Sequence, residues 1–385
     1  MDLTLFFDPL EESLITQLPA SALGRSFRSY IHKMPEYRDA HLAIVGVPEN
    51  RGAGSNGGTA RAPDMIRRKL YTLKRSHAAY RVVDLGNLKP GHNLQETYTR
   101  ISEVCRILLE DNVLPIILGG SHDLGFGQYL AYETLDKLVG LLNIDAFLDL
   151  EPEQDGPPSH SHLHKILLHE PNFLFSYTHL AYQSYLIDPE AIGVMEKLYF
   201  EAFRIGQMRS NLQEMEPVIR QADLLSFDIT AIRSADAPGN VHAQPFGLTG
   251  EEACQICWYA GLNEKLSSIG FYEYNPEHDD ATHKTAAVIA TMIWYFMEGY
   301  YHRKQEQNFR SNDFLKYVVA LSGHPETITF YKSKRTEKWW MEVPYPEGLE
   351  RYARNSIIPC SYSDYQAATR GEVPERYIHM VAKLG

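Results

Sequence analysis

Short apolar runs alternate with helically spaced stretches between about residue 40 and about residue 305. The runs are HLAIVGV from His41, RVVDLG from Arg81, VLPIILGG from Val113, LVGLLNID from Leu138, LLSFDIT from Leu224 and LSSIGFYEY from Leu266. Several are apolar throughout instead of alternating with polar residues, the pattern of strands covered by helices on both faces. The alternation therefore predicts an α/β domain around a parallel sheet. Helices are predicted over Ala62–Leu73, with Pro63 in its first turn, and over Asn93–Asp111. The longest apolar run, Ala286–Met297, is too short to span a bilayer and ends at Glu298, so it reads as a buried core helix.

No internal repeat or low-complexity linker divides residues 41–309, which are read as one domain. Residues 1–40 are read as a mostly helical lead-in and residues 310–385 as an appendage. In the appendage, TITFYKS (Thr327–Ser333) and KWWMEV (Lys338–Val343) flank a charged turn at Lys334 and Arg335, which predicts a β-hairpin. With 385 residues, 44% of them hydrophobic, the chain can bury a full core. A net charge of -12 and a pI of about 5.7 argue against nucleic acid and anionic membrane, which would repel it at long range. Small molecules and proteins remain as partners. The opening MDLTLFFDPLEESL carries acid where a secretory signal carries base, which points to the cytoplasm. Four cysteines in so long a chain make no disulfide framework, and Cys254 and Cys257 lie in GEEACQICWYAGL, whose spacing places both in a helix core.

Acids and one histidine fall at the ends of the predicted strands. His122 follows VLPIILGG, Asp145 ends LVGLLNID, Asp228 lies near the end of LLSFDIT, and Glu273 closes LSSIGFYEY. Ligands of α/β sheets bind outside the carboxyl ends of the strands, so these residues can converge, with Asp149 joining from the loop four residues after Asp145. Any one of these acids alone reads more simply as a cap or a solvated loop residue. Four strand ends together do not. Clustered carboxylates repel unless protonated or neutralised, and one imidazole with three carboxylates suits Mn, with Zn or Fe as alternatives.

At these residues the chain resembles the arginase (ureohydrolase) family. GGSHDLGFG (Gly119–Gly127) resembles the family's GGDHS motif and NIDAFLDL (Asn143–Leu150) its DAHxD motif. SFDITAIRSADAPG (Ser226–Gly239) resembles SxDxDxxDPxxxPG, EYNP (Glu273–Pro276) resembles ExNP, and NGGTARAP (Asn56–Pro63) resembles the early glycine-rich segment. The likeness covers about residues 40 to 300 and is nearest to the formimidoylglutamase and agmatinase branch. It implies a three-layer α/β/α fold of the arginase/deacetylase kind, with a central, mostly parallel eight-stranded sheet. It also implies a first metal site of His122, Asp145, Asp149 and Asp228. The family's second metal shares Asp145 and Asp228 and adds a histidine and an aspartate at positions where this chain has Phe147 and Thr230. Both departures fall on ligands private to the second metal, so one bound ion is expected instead of two. The deacetylases of this fold use the histidine that Phe147 replaces, which argues against deacetylation. Gly52, Gly54 and Gly57 spell GxGxxG, but the helix begins only near Pro63, so the dinucleotide-binding geometry fails.

The resemblance implies hydrolysis of a C–N bond in a linear amidine or guanidine by metal-activated water. Glu273 would pair with the cationic head of the substrate and contribute to catalysis. Asn56 would be a second substrate contact. The loop SHSHLHKILLH holds His160, His162, His164 and His169; His162 or His164 would match the family's proton-transfer histidine, and His164 is taken here as that catalytic residue. The loop could also donate an imidazole in place of the one lost at position 147. The competing reading is a catalytically inactive pseudoenzyme, a binding or scaffold protein using Trp339 and Trp340 as a contact surface, although both could equally pack the hairpin onto the sheet. By resemblance the chain is expected to form homo-oligomers, trimers or hexamers.

Overall fold

Successive side chains of the central strands enter two separate apolar cores. Leu42, Ile44, Leu142, Leu225, Phe227 and Ile269 fill one, together with the helices Ala62–Leu70, Gly250–Leu262 and Lys284–Tyr301. Ala43, Val45, Ile117, Leu141, Leu224 and Tyr272 fill the other, with the helices Leu94–Glu110 and Gly125–Thr134. A strand buried on both faces has no polar side, which is why these runs are apolar throughout. The computed structural model describes residues 3–152, 154–306, 308–345 and 356–384; residues 346–355 of the expected appendage lie outside them.

Eight strands run parallel: β1 (Leu42–Gly46), β2 (Val82–Leu88), β3 (Leu114–Leu118), β4 (Val139–Ile144), β5 (Leu174–Tyr182), β6 (Glu201–Arg204), β7 (Leu224–Asp228) and β8 (Ser268–Tyr272). Their order is β2-β1-β3-β8-β7-β4-β5-β6, as expected of a three-layer α/β/α fold. The late strands β7 and β8 are inserted between β3 and β4, so the four strands that carry the candidate site residues are neighbours. The helix Leu94–Glu110 begins where Asn93 accepts a hydrogen bond from the Glu96 amide, and Thr249 and Glu252 form a capping box at the start of Gly250–Leu262. That helix meets Lys284–Tyr301 at bare backbone: a Cβ on Gly261 would stand 2.2 Å from the Phe296 carbonyl oxygen. Cys254 and Cys257 are buried in it, and all four cysteines are free. No helix among the described residues is long and apolar enough to cross a membrane.

The structure corrects one expectation and sharpens two others. The lead-in is not mostly helical: beside the four-residue helix Ser13–Thr16 and two single 3-10 turns, Phe7–Asp8 and Arg28–Ser29 pair with β2 and extend the sheet edge. Its apolar residues Leu3, Phe7 and Tyr30 are spent on covering that edge. The hairpin is real, β10 (Thr327–Ser333) against β11 (Trp339–Glu342), but it lies inside a four-stranded antiparallel sheet with β9 (Phe314–Ala320) and β12 (Ile357–Cys360). Trp339 and Trp340 are 8% and 6% exposed, so they pack the appendage and do not form a contact surface. The guanidinium of Arg220, from the main domain, stacks 4.3 Å from the Trp340 ring centre and donates to the Trp339 and Cys360 carbonyls.

Candidate metal centre

The parallel register brings four strand ends side by side. His122 opens a 3-10 turn four residues beyond β3, Asp145 directly follows β4, Asp228 is the last residue of β7, and Glu273 directly follows β8. Asp149 turns back to the cluster through a left-handed backbone at φ 51°, and Glu273 does so at φ 65°. The turn before His122 needs glycine, because a Cβ on Gly120 would stand 1.7 Å from the Glu49 carbonyl oxygen.

His122 Nδ1 lies 3.3 Å from Asp145 Oδ2, 3.0 Å from Asp149 Oδ2 and 3.1 Å from Asp228 Oδ2. All four expected first-site ligands are thus brought together and buried, each offering one atom within 4.8 Å of the others. Ser226 Oγ holds His122 Nε2 at 2.8 Å, which turns Nδ1 toward the carboxylates. The cluster suits a hard divalent ion. Asp145 Oδ2 is buried without a hydrogen bond, and one nitrogen with three carboxylate oxygens is the donor set that such an ion takes. Without the ion the site is electrostatically strained. Burial, followed by repulsion from Asp228 and Asp149, pushes the Asp145 carboxyl well above its ordinary range. Burial opposes a charged His122, but the close carboxylates of Asp145, Asp149 and Asp228 overcome it and raise its pKa well above the usual value.

The outer oxygens face the protein. Asp145 Oδ1 accepts hydrogen bonds from the Thr230 hydroxyl at 2.8 Å and the Phe147 amide at 3.0 Å. Asp228 Oδ1 accepts from the Thr230 amide at 2.7 Å. Phe147 is half-buried and lines a cavity of about 530 Å³ whose wall also includes Asp149, Glu151, His160, Asp188 and Glu190.

Glu273 is buried and both its oxygens are engaged: Oε1 accepts from the His122 amide at 2.8 Å and Oε2 from Asn56 Nδ2 at 2.7 Å. Burial and the nearby Asp228 push its carboxyl up to about 8. Asn56 is fully buried, and its amide is shared among Glu273, Asn275 and the Val241 backbone, so in this arrangement it holds Glu273 in place.

Of the loop histidines, His162 is the one that reaches the cluster. Its Nδ1 lies 3.1 Å from Asp149 Oδ2, its ring centre 3.9 Å from that of His122, and its Nε2 is buried without a hydrogen bond. Burial, then the charge of His122, lowers its pKa. His164 is half-buried, its amide donates to the Asp149 carbonyl at 3.4 Å, and its ring is absent from the groups of ligand atoms found among the described residues. His160 sits at the cavity wall 3.5 Å from Glu151, and His169 is bound to Glu133 at 2.7 Å. One imidazole of this loop thus does reach the cluster, at Asp149 Oδ2. Sequence reading missed Ser226, His179 and Asn240. His179 Nε2 bonds the Asp145 carbonyl at 3.1 Å, and Asn240 Nδ2 donates to the Glu273 carbonyl at 2.7 Å. Only Ser226 had a usable signal, since it lies two residues before Asp228 and shares its side of β7.

Residues 40–298 match the model of the arginase family. A formimidoylglutamase of Staphylococcus haemolyticus is 27% identical over 66% of this chain and 85% of its own length. Among solved structures, formimidoylglutamase of Bacillus subtilis superposes with a TM-score of 0.66 at 18% identity, covering 76% of this chain and 97% of that one. Formiminoglutamase of Trypanosoma cruzi with Mn2+ does so with a TM-score of 0.64 at 21% identity, covering 70% and 96%. The matched span contains all of β1 to β8 and every ligand of the cluster, and on that evidence the chain belongs to the arginase family.

Proposed function

We propose that the protein is a metal-dependent hydrolase of a C–N bond in a linear amidine or guanidine, formimidoylglutamase- or agmatinase-like, working with one ion. The observation that carries this reading is the buried cluster of His122, Asp145, Asp149 and Asp228, with an orphaned oxygen on Asp145 and with Asp149 in the wall of the cavity. Mn is the preferred ion, since it suits the donor set and since a structural neighbour carries it. An ion held by His122, Asp145, Asp149 and Asp228 would supply a water of lowered pKa as the nucleophile.

The chain's own residues supply the rest. Ser226 fixes the His122 ring, and Glu273 holds the His122 amide, so the ligand set is rigid before substrate enters. His162, with Nδ1 tied to Asp149 and to the Ser159 carbonyl at 3.2 Å, keeps Nε2 free to carry a proton to the leaving nitrogen. Glu151, Asp188 and Glu190 line the cavity, with no Lys or Arg among its described lining residues, which favours a positively charged amidine or guanidine head. Four free, buried cysteines support a reducing, cytoplasmic setting. A trimer or hexamer remains the proposed assembly, and its mass in solution by light scattering would test it.

The capped outer oxygens of Asp145 and Asp228 favour a second reading, a binding protein that retains the centre without turnover. One assay separates the two: release of urea, formamide or ammonia from a panel of guanidino and amidino compounds in excess Mn. Turnover that disappears in Asp228→Ala supports the hydrolase. A chain that binds Mn yet turns over no compound supports the binder.

A further inference from the structure

Asp145 and Asp228 each have two oxygens, and the structure divides them cleanly. The inner oxygens, Asp145 Oδ2 and Asp228 Oδ2, stand 3.3 and 3.1 Å from His122 Nδ1. The outer oxygens accept from the Thr230 hydroxyl and amide and from the Phe147 amide, at 2.7 to 3.0 Å. Thr230 is only 4% exposed and sits in the 3-10 turn Ile229–Ala231, so the turn fixes its amide and burial confines its hydroxyl. A carboxylate at position 230 would add a third negative group beside Asp145 and Asp228 and would need a cation between them. A hydroxyl reverses that polarity: it is a neutral donor pointed at the oxygen that a cation would otherwise hold.

From this division we infer that Thr230, with the Phe147 amide, stands in for a second cation. Thr230 is a positioning residue that locks the outer oxygens, aims the inner ones at a single ion and closes the centre to another. The inference rests on the metal-hydrolase reading, but its test reads binding and not turnover. Mn alone is titrated calorimetrically into the full-length protein, and bound metal is counted by mass spectrometry. The wild type saturates at one ion. Thr230→Val, which removes only the hydroxyl, weakens Mn binding by about 10- to 100-fold, whereas Thr230→Ser keeps wild-type affinity. Phe147→His combined with Thr230→Asp gains a second ion, seen as an exchange-coupled Mn pair by electron paramagnetic resonance.

Two ions in the wild type at millimolar Mn would overturn the inference, and this count does not depend on any variant folding. So would wild-type affinity in a folded Thr230→Val protein, or a single ion in a folded double variant. A wild type that binds no Mn removes the hydrolase reading and the inference together, whereas one Mn with an indifferent Thr230→Val removes the inference alone.

Discussion

At the scale of residues, the centre is a competition between protons and a metal. In the metal-free protein burial and neighbouring carboxylates raise Asp145, and the same carboxylates raise His122 against its burial. Raised pKa values mean that an ion competes with protons for both groups, so Mn affinity should rise with pH and binding should release protons. Calorimetric titrations in two buffers of different ionisation enthalpy would count those protons, and a pH-independent affinity would contradict the cluster as drawn. His162 is separable from the ligands, because its free Nε2 points away from the hydrogen bonds that hold it. His162→Asn should lower turnover by about 10²- to 10⁴-fold with little change in Mn affinity. Equal loss of both would make His162 a ligand. Glu273 and Asn56, read from the sequence as substrate contacts, hydrogen-bond to each other, a pairing that no spacing in the chain announces.

At the scale of elements, strand ends deliver the site and tight backbone turns aim it. Gly120→Ala would press a methyl group into the Glu49 carbonyl and displace the turn that carries His122. It should cost about 1–3 kcal/mol of stability and weaken Mn binding, measured by denaturant titration and calorimetry; a neutral result would mean that this turn moves freely. The six strands read from sequence are those buried on both faces or carrying a ligand at their end. β5 and β6 were not read because they lie toward the sheet edge, where burial is partial and LFSYTHLAY and EAFR lack an apolar run. The ligands were legible because Asp145 and Asp228 stand at strand ends and His122 and Asp149 lie in the loops just beyond them. His179 and Asn240 act through hydrogen bonds to the Asp145 and Glu273 carbonyls, and such contacts have no spacing rule in a linear chain. The C-terminal helix Glu375–Leu384 offers a pH test away from the centre. Burial lowers the Lys383 ammonium, which lies over Phe175 and Phe200, to about 8. The unfolded chain therefore binds more protons between about pH 8 and about pH 10.4, and stability should rise across that window. Lys383→Met should flatten the rise in Tm, and an unchanged slope would refute it.

At the scale of the whole molecule, chemistry and appendage occupy opposite ends of the sheet. The metal ligands crowd the carboxyl ends of β3, β4 and β7, whereas Arg220, four residues before β7 begins, and Phe175, at the start of β5, meet the appendage at the other end. Arg220→Ala removes the stack on Trp340 and two hydrogen bonds to backbone, and should cost about 2 kcal/mol. Faster hydrogen exchange in β11 and β12 with unchanged Mn affinity is the expected result; altered metal binding would show that the two ends communicate.

That polarity has a practical corollary. The helix Glu375–Leu384 belongs to the end of the sheet opposite the cavity, so a chain anchored through the exposed face of that helix to a bead or an electrode would present its metal ligands' end to the solution.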